Sequence, residues 1–492
     1  MEQDEMNNIK LTDSQDRVLN KILNFVNNSA DRVFILKGYA GTGKTTLMRF
    51  LIQKLDQQEK NYRLLASTGR AAKVLANISG TGFITSTIHS LIYTFKGLNR
   101  DTEGIDEAQI DENGTPIILM FQQAKLDEEN QPEAIYIVDE SSMVSDVPSR
   151  DVTQAQFGDG RLLKNLLDYD PRPGSKFIFV GDPCQLPPIK EYYSPALIPA
   201  YFQQTFNLNA QEEKLTEIMR QKGVSGIIDA SKKIRGLYTT APEAGGLFGK
   251  QKLWGYLPFR GNKDIQLHKN TEVMLDDYVE KVKASGLNSA VCICRSNRMC
   301  GELSRTIRQK LGFISERISV GDLLLVTQNN ISTGLMNGDM VTVEEIAPHV
   351  QTRARLTFRQ MKLKELFTQR TYTTLVIEEI AYQGRLNLDA QQQQALFVDF
   401  IIRMRKKGIT EKKNRLAFYS AMENDPYLNA LRCVYGYAIT CHKSQGGEWE
   451  DVYVQVPRNI PLNPTKGTYQ WIYTAMTRAR PTLHVVDDFY LR

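Results

Sequence analysis

The stretch LKGYAGTGKTTLMRF, residues 36–50, contains the pattern GxxxxGK[ST] from Gly38 to Thr45. The apolar run RVFILKG at residues 32–38 precedes the pattern and has the composition of a buried strand, and a segment with helical spacing follows it. In this setting the glycines let successive backbone N–H groups converge on a phosphate at the positive end of the helix. The sequence therefore predicts the phosphate-binding loop of a nucleoside triphosphatase.

Further short apolar runs along the chain have the composition of buried strands: residues 63–68, 134–140 and 176–182 in the first half, and residues 289–296, 322–327, 452–457 and 482–488 in the second. Segments with helical spacing separate the first four runs, and strands that alternate with helices are typical of a parallel, doubly wound sheet. This rhythm breaks in residues 90–133 and again in residues 336–431. The second break opens with NGDMVTVEEI, a turn followed by alternating residues, which predicts a small β-module.

The length and composition indicate a protein of several globular domains. At 492 residues, with 41% apolar and 24% charged residues, the chain exceeds what one hydrophobic core supports. No apolar run reaches the length of a membrane span, and the acidic, polar N-terminus does not match a secretory signal. The six cysteines include no CxxC pair, so we expect reduced thiols and a cytoplasmic protein. The net charge of +5 neither requires nor excludes a polyanionic partner.

Two carboxylates close the run AIYIVDE, at Asp139 and Glu140. Ligands of open α/β sheets bind at the carboxyl ends of the strands, so these side chains should face the phosphate loop. We expect Asp139 and the hydroxyl of Thr45 to hold Mg²⁺, Lys44 to lie between the β- and γ-phosphates, and Glu140 to act as general base for the attacking water. ATP is favoured over GTP because no NKxD-type guanine signature is present.

Three further side chains are candidates for sensing the γ-phosphate or stabilising its charge. Gln185 lies in GDPCQLPPI after a predicted strand, and its amide can both donate and accept a hydrogen bond. Arg220 in LTEIMRQ and Arg478 in YTAMTRAR are candidate arginine fingers. Each arginine alone would be interpreted as a surface or ion-pair residue, and the motifs around them reverse that interpretation.

The ordered series of the phosphate loop, VDESSM, GDPCQLPPI, AITCHKSQGGEWEDVYV and WIYTAMTRAR resembles the motifs of superfamily 1 helicases, and within them the RecD and phage Dda-like branch. The likeness runs from Gln15 to Arg480. It implies an α/β fold of two RecA-like parallel-sheet P-loop domains with two insertions. The implied parts are residues 1–89 and 134–220 for the first core domain, residues 221–335 and 432–492 for the second, residues 90–133 for an inserted pin region, and residues 336–431 for an inserted SH3-like β-module with an extended arm.

The resemblance also implies how nucleotide is bound. Gln15 would read the adenine edge, although it also fits a plain residue of an N-terminal helix. Gln185 would couple the γ-phosphate to the nucleic-acid strand, and Arg220 and Arg478 would be paired fingers. The nucleotide-contacting set is completed by the loop residues Gly38, Ala40, Gly41, Thr42, Gly43, Lys44, Thr45 and Thr46, together with Gly446 and Glu448.

For nucleic acid, the resemblance implies contacts from six further residues: Thr68, Lys73, Thr87, His89, Thr440 and His442. His89 also fits a core or capping histidine. In the first insertion, Tyr93 or Phe95 could stack on a base, but core packing is the favoured interpretation for both.

The function implied is an ATP-driven DNA helicase that moves 5′ to 3′ on single-stranded DNA, with ATP and Mg²⁺ as cofactors. Single-stranded DNA and duplex junctions are the expected partners, with replication or recombination proteins as further candidates, and the chain is expected to act as a monomer. An RNA-directed helicase of the same superfamily remains open, because recognition of the 2′-hydroxyl is not visible in sequence. A P-loop kinase or switch GTPase without motor activity would leave Arg478 and the second α/β domain unused.

Overall fold

The computed structural model describes residues 10–79, 85–99, 117–148, 155–219, 226–242, 256–458 and 464–492. Arg220 and residues 100–116 of the predicted pin region lie outside these ranges. None of the helices in the described ranges has the length and apolar composition needed to cross a membrane.

The helices in these ranges are α1 (Asp13–Asn28), α2 (Lys44–Gln57), α3 (Gly69–Ser79), α4 (Ile88–Ile92), α5 (Leu162–Tyr169), α6 (Pro199–Phe206), α7 (Gly226–Thr240), α8 (Thr271–Ser285), α9 (Asn297–Lys310), α10 (Glu378–Gln383), α11 (Ala390–Lys406), α12 (Arg415–Glu423), α13 (Cys441–Ser444) and α14 (Lys466–Met476). The strands are β1 (Val33–Gly38), β2 (Tyr62–Ala66), β3 (Thr85–Thr87), β4 (Tyr93–Leu98), β5 (Leu119–Gln123), β6 (Ile135–Asp139), β7 (Ala155–Phe157), β8 (Lys176–Gly181), β9 (Ala210–Leu215), β10 (Ile265–His268), β11 (Ala290–Cys294), β12 (Leu323–Val326), β13 (Met340–Arg353), β14 (Leu356–Glu365), β15 (Thr371–Ile377), β16 (Cys433–Tyr435), β17 (Ala438–Thr440), β18 (Trp449–Val454) and β19 (Ala479–Val486).

The first sheet is parallel throughout, in the order β3-β2-β6-β8-β1-β9. The strands predicted at residues 32–38, 63–68, 134–140 and 176–182 are confirmed as β1, β2, β6 and β8. Helices α1 and α2 bury apolar side chains on one face of this sheet, and α5 and α6 bury theirs on the other. A sheet covered on both faces needs strands that are apolar throughout, which explains their unbroken hydrophobic runs.

The second sheet is also parallel, in the order β10-β19-β18-β11-β17. Helices α8 and α14 contribute Tyr278, Trp471 and Ile472 to its core. Parallel strands direct their carboxyl ends to the same edge. The two parallel sheets confirm the predicted α/β class with two RecA-like units.

A third sheet, in the order β15-β14-β13-β12-β16, is antiparallel. The predicted alternation at NGDMVTVEEI is confirmed as the start of β13. The run at residues 322–327 is a strand, but it pairs with β13 and β16 instead of continuing the α/β rhythm of the second half. The reason is the loop between β12 and β13, which returns the chain so that Val326 donates to the carbonyl of Asp339 and accepts from the N–H of Gly338. Strands joined in this way run antiparallel.

Strands β4 and β5 of the first predicted insertion, residues 90–133, form a small sheet with β7, which lies beyond the predicted end of that insertion. Tyr93 is buried there and accepts a hydrogen bond from Asn165, at 2.7 Å. Phe95 packs edge-on against Phe121 and against Tyr419 of α12, with ring centroids 5.6 and 5.1 Å apart. The expectation of core packing for both aromatic residues is therefore confirmed, and the two predicted insertions contact each other through this apolar cluster.

Candidate active site

The loop between β1 and α2 has the backbone shape that a phosphate-binding loop requires. Gly41 and Gly43 have φ values of 82° and 77°, in the left-handed region that favours glycine. Lys44 donates from Nζ to the carbonyl oxygens of Gly38 and Tyr39, at 2.7 and 3.3 Å, so its cation lies over the loop. Thr45 and Thr46 follow in the first turn of α2, whose N–H groups point toward the same space.

Gln15 lies against this loop from the side of α1. Only 3% of the residue is exposed, and its Nε2 donates to the carbonyl of Thr42 at 3.2 Å. Its Oε1 accepts from the backbone N–H of Thr12, which completes a capping box at the start of α1. A Cβ added at Gly43 would lie 2.4 Å from the Gln15 amide nitrogen, so the glycine is required for this close approach. The structure thus brings Gln15 to the loop, and its role toward adenine stays a prediction.

Asp139 and Glu140 stand where β6 ends, at the same sheet edge as the loop. Burial raises the pKa of Asp139, the neighbouring Glu140 carboxylate raises it further, and Lys44 opposes both effects. Glu140 has φ 51°, an uncommon left-handed conformation for a non-glycine residue. Asp139 and the hydroxyl of Thr45 are hard oxygen donors of the kind that Mg²⁺ prefers, so this donor set fits the ion.

Gln185 connects the first parallel sheet to the second. With its amide oriented to suit both neighbours, Gln185 donates from its nitrogen to Oε2 of Glu140 at 3.2 Å, and its oxygen accepts from Nη2 of Arg478 at 3.1 Å. Glu140 and Gln185 follow β6 and β8 of the first sheet, whereas Arg478 directly precedes β19 of the second. The predicted base, sensor and arginine are therefore joined in one chain of hydrogen bonds.

Arg478 is held firmly although it lies between two sheets. Only 5% of the residue is exposed, and its guanidinium donates to the carbonyl oxygens of Thr474 and Gly447, at 3.1 and 3.4 Å. Its own carbonyl accepts from the N–H of Trp449 at 3.0 Å, which fixes the backbone against β18. A buried guanidinium braced in this way is preorganised to face developing negative charge.

Helix α14 makes further direct contacts with the nucleotide-site loops. The hydroxyl of Tyr473 accepts from the N–H of Ala40 at 2.9 Å and donates to Oδ2 of Asp182 at 2.8 Å. Thr474 accepts from the N–H of Leu186 at 2.9 Å. Helix α14 of the second half thus contacts the phosphate loop through Tyr473, whereas Arg478 contacts Gln185 in the loop after β8.

Sequence reasoning missed this part of the site. Gln470 of α14 also donates to the carbonyl of Gln185, at 3.1 Å, and Gln445 donates to that of Leu186, at 3.3 Å. The available signal was the helical spacing of hydrogen-bonding residues within an otherwise apolar helix, at Gln470, Tyr473 and Thr474. Their partners lie between 285 and 433 residues away in sequence, so no local pattern identifies them.

Gly446 and Glu448 occupy the turn before β18. Gly446 has φ 76° and packs against Ala71 of α3, where an added Cβ would lie 3.3 Å from the Ala71 side chain. Glu448 is exposed and forms an ion pair with Arg480. The structure therefore places Gly446 between the sheets and Glu448 at the surface, and nucleotide contact by either stays a prediction.

Two of the residues predicted to contact the nucleic-acid strand occupy equivalent positions in the two parallel sheets. Thr87 ends β3 at one edge of the first sheet, and Thr440 ends β17 at one edge of the second. Each is the N-cap of a short helix and is followed two residues later by a histidine. Thr87 caps through its hydroxyl, which accepts from Ser90 at 3.2 Å, whereas Thr440 makes no such side-chain bond. Thr68 caps α3 in a similar way by accepting from Ala71, at 3.2 Å.

The other three residues predicted to contact the nucleic-acid strand differ in their surroundings. The ring of His89 packs against Tyr93 and Phe157, and burial lowers the pKa of His89 to about 4. Burial also lowers the pKa of His442. Lys73 forms an ion pair with Asp339 and Glu365 of the antiparallel sheet, at 2.5 and 2.8 Å, so its cation already has two buried partners.

Family models match two parts of the chain. A model described as an AAA domain matches residues 10–243, and one described as a UvrD-like helicase C-terminal domain matches residues 435–486. These ranges contain the phosphate loop and Arg478, respectively.

Curated relatives cover the chain at low identity. An uncharacterized protein of Acanthamoeba polyphaga mimivirus is 23% identical over 95% of this chain and 98% of its own length. The ATP-dependent DNA helicase Dda of Enterobacteria phage T4 is 25% identical over 68% of this chain and 64% of its own. The ATP-dependent RecD2 DNA helicase of Deinococcus radiodurans is 28% identical over 45% of this chain and 23% of its own.

Solved structures share the fold. Bacteroides Pif1 bound to single-stranded DNA is 17% identical to this chain, with a TM-score of 0.50, over 98% of this chain and 93% of that one. A Pif1 structure concerned with unwinding of forked duplex DNA has the same TM-score and coverage, at 18% identity.

Proposed function

We propose that this chain, a superfamily 1 helicase of the RecD, Dda and Pif1 type, hydrolyses ATP between its two parallel sheets to move 5′ to 3′ along single-stranded DNA and to separate duplex ahead of it. The ATP-dependent DNA helicase activity follows from the family. The direction of movement, the residue roles and the strand contacts are our proposal.

The observation that carries the proposal is the bond chain from Glu140 through Gln185 to Arg478. A γ-phosphate bound over Lys44 would face Glu140 and Gln185 from one sheet and Arg478 from the other. Nucleotide with a γ-phosphate then favours the closed arrangement, and hydrolysis removes that preference. A P-loop kinase or switch GTPase without motor activity does not need such a link between two sheets.

In this mechanism each residue of the site has a distinct task. Backbone N–H groups of the loop and Lys44 bind the phosphates, and Gln15 faces the base. Asp139 and Thr45 would hold Mg²⁺, which neutralises phosphate charge when bound. Glu140 accepts a proton from the attacking water. Gln185 holds Glu140 and Arg478 in position relative to each other, and Arg478 stabilises the negative charge on the transferred phosphoryl group. Arg220 is proposed as a second cation for this charge.

For the DNA strand, we propose a path over the edges marked by Thr87 and Thr440. These threonines end edge β-strands of separate sheets. Closure of the cleft therefore changes the distance between two points at which the protein holds the DNA backbone. Hydroxyls and helix N-termini bind phosphates without reading bases, so we expect little sequence preference. Strands β4 and β5 would belong to the pin region at residues 90–133, and β13, β14 and β15 with α11 and α12 would form the SH3-like module with its arm at residues 336–431.

We further propose that the protein acts as a monomer in a reducing cytoplasm. All six cysteines are free and buried, as expected for a chain that does not rely on disulfides.

A strand-displacement assay tests the direction and the substrate. Duplexes carrying a 5′ DNA tail, a 3′ DNA tail or a 5′ RNA tail are incubated with protein, ATP and Mg²⁺. We expect efficient ATP-dependent displacement only with the 5′ DNA tail. Displacement only from the 3′ tail would overturn the direction, and preference for the RNA tail would favour the RNA-directed alternative. ATP turnover that DNA does not stimulate would contradict the motor.

A further inference from the structure

Two histidines and an aspartate converge at one edge of the second sheet, away from the nucleotide site. His268 ends β10, His484 lies in the neighbouring β19, and Asp277 projects from α8, which packs over both strands. Nε2 of His268 lies 3.0 Å from Nδ1 of His484, which lies 3.3 Å from Oδ2 of Asp277. All three atoms fall within 4.8 Å of one another.

These separations match the spacing around a small transition-metal ion. Ligand atoms about 2.0–2.1 Å from a tetrahedral Zn²⁺ are about 3.3–3.4 Å from each other. The two short edges of the cluster, 3.0 and 3.3 Å, are close to that value, and the third edge, between His268 and Asp277, is at most 4.8 Å and shortens when one ion binds all three atoms. Two imidazoles and one carboxylate form a donor set that suits Zn²⁺.

Hydrogen bonds fix the tautomer of His484 at the centre of the cluster. Nε2 of His484 faces Oδ1 of Asp451 at 2.9 Å, and a carboxylate accepts but does not donate, so the imidazole proton lies on Nε2. With its proton on Nε2, His484 carries a lone pair on Nδ1, which faces Nε2 of His268 at 3.0 Å and Oδ2 of Asp277 at 3.3 Å. A metal ion bound to this lone pair would replace the hydrogen bond between the two histidines and would also attract the Asp277 carboxylate.

The surroundings of the cluster are those of a metal site. A ligating histidine that donates its other N–H to a carboxylate is held in the ligating tautomer, as His484 is by Asp451. Tyr453 donates to Oδ2 of Asp277 at 2.6 Å and stacks on the His484 ring, with centroids 4.0 Å apart. The histidines are 8% and 2% exposed, whereas the Asp277 side chain is 40% exposed, which provides a path of entry.

We propose that His268, His484 and Asp277 bind one Zn²⁺ ion, with water as the fourth ligand. The ion joins α8 to β10 and β19, and β19 is the strand that starts directly after Arg478. This site is independent of the proposed ATP and DNA contacts. Its expected effect is stabilisation of the second sheet, since an ion that binds only the folded state shifts unfolding upward.

Metal content and thermal unfolding test the site on the full chain after removal of any affinity tag. The protein is stripped with chelator, reloaded with Zn²⁺, dialysed and analysed by elemental mass spectrometry. We expect about one Zn²⁺ per chain, a higher Tm with Zn²⁺ than with chelator, and affinity reduced by more than about tenfold in His268→Asn and Asp277→Asn. His349→Asn, which alters an exposed histidine of β13, is the matched control and should behave like the parent.

Co²⁺ substitution keeps the test decisive if a variant fails to fold. The parent protein loaded with Co²⁺ should show the visible absorption bands of a tetrahedral site with nitrogen and oxygen ligands, and Zn²⁺ should abolish them. Retention of no metal above the buffer background would overturn the proposal. So would equal retention by His268→Asn and the parent, or a Tm that responds to pH but not to Zn²⁺, which would indicate that a proton occupies the cluster.

Discussion

The side-chain oxygen of Gln185 lies 3.1 Å from Nη2 of Arg478, although the two residues belong to different parallel sheets. The nitrogen of the same amide lies 3.2 Å from Glu140. One amide therefore links a carboxylate that follows a strand of the first sheet to an arginine that precedes a strand of the second. The catalytic consequences of this contact can be tested one residue at a time.

Arg478→Ala should reduce DNA-stimulated ATP turnover by about three to five orders of magnitude, because an arginine finger supplies charge only in the transition state. ATP binding, measured with a fluorescent analogue, should change little. Arg480→Ala is the matched control, since Arg480 forms its ion pair with Glu448 at the surface. Equal losses in the two variants would contradict the assigned role.

Glu140→Gln should retain ATP and DNA binding but lower kcat by about two to four orders of magnitude, because general-base catalysis is lost. The left-handed backbone at Glu140 suits an amide as well as a carboxylate, so folding should be unaffected. A single-turnover assay separates chemistry from product release. Loss of nucleotide binding in this variant would argue that Glu140 binds the nucleotide instead of activating water.

Tyr473→Phe tests the contact between α14 and the phosphate loop. The substitution keeps the buried ring and removes the hydroxyl that joins Ala40 to Asp182, so it leaves a buried carboxylate with one bond fewer. We expect a loss of about 1–3 kcal/mol in the free energy of unfolding and a weaker stimulation of ATP turnover by DNA. Tyr419→Phe, in the apolar cluster of α12, is a comparison in which stimulation by DNA should be unchanged.

Lys73 offers a direct test between a strand contact and a structural ion pair. Lys73→Met leaves Asp339 and Glu365, whose side chains are 3% and 2% exposed, without their cation. We expect the free energy of unfolding to fall by about 3–5 kcal/mol, as for a broken buried pair. Lys310→Met, which breaks a surface pair with Asp276, should change it little. Normal stability together with a smaller salt dependence of DNA affinity would instead identify Lys73 as a phosphate contact.

His89 should make stability depend on pH. Burial lowers the pKa of His89 to about 4, whereas the unfolded chain protonates it near pH 6.5. The unfolded state therefore binds more protons between these values, so the contribution of His89 is complete above about pH 6.5 and falls toward pH 4, by at most about 1.4 kcal/mol per pH unit. His89→Phe should flatten the dependence in denaturant melts, and His349→Asn should not. An unchanged slope in His89→Phe would contradict burial of the neutral ring.

The sequence alone predicted the nucleotide-site residues that follow strands of the first sheet. The phosphate loop, Asp139 and Glu140 each follow a strand with an unmistakable apolar run, so local pattern and sheet geometry place them together. Gln15 and Arg478 were placed by family resemblance, and the structure brings both to the site.

The features that the sequence did not predict depend on contacts between segments that are distant along the chain. Tyr473 looks like any aromatic residue of a buried helix, and only the packing of α14 against the phosphate loop and the loop after β8 gives its hydroxyl two partners. Lys73 carries the charge expected of a strand contact, but its surroundings come from residues more than 260 positions away. The run at residues 322–327 has the same apolar composition as the strands of the parallel sheets. Burial on both faces sets that composition, so it does not reveal the direction in which a strand pairs.

A double-mutant cycle on Gln185 and Arg478 tests most directly whether the two sheets share one active site. The kcat of ATP hydrolysis with saturating single-stranded DNA is measured for the parent, Gln185→Leu, Arg478→Ala and the double variant. If Gln185 acts through Arg478, the double variant should be scarcely slower than Arg478→Ala, which gives a strongly non-additive cycle. Fully additive losses would show that the two residues act independently and would contradict the account.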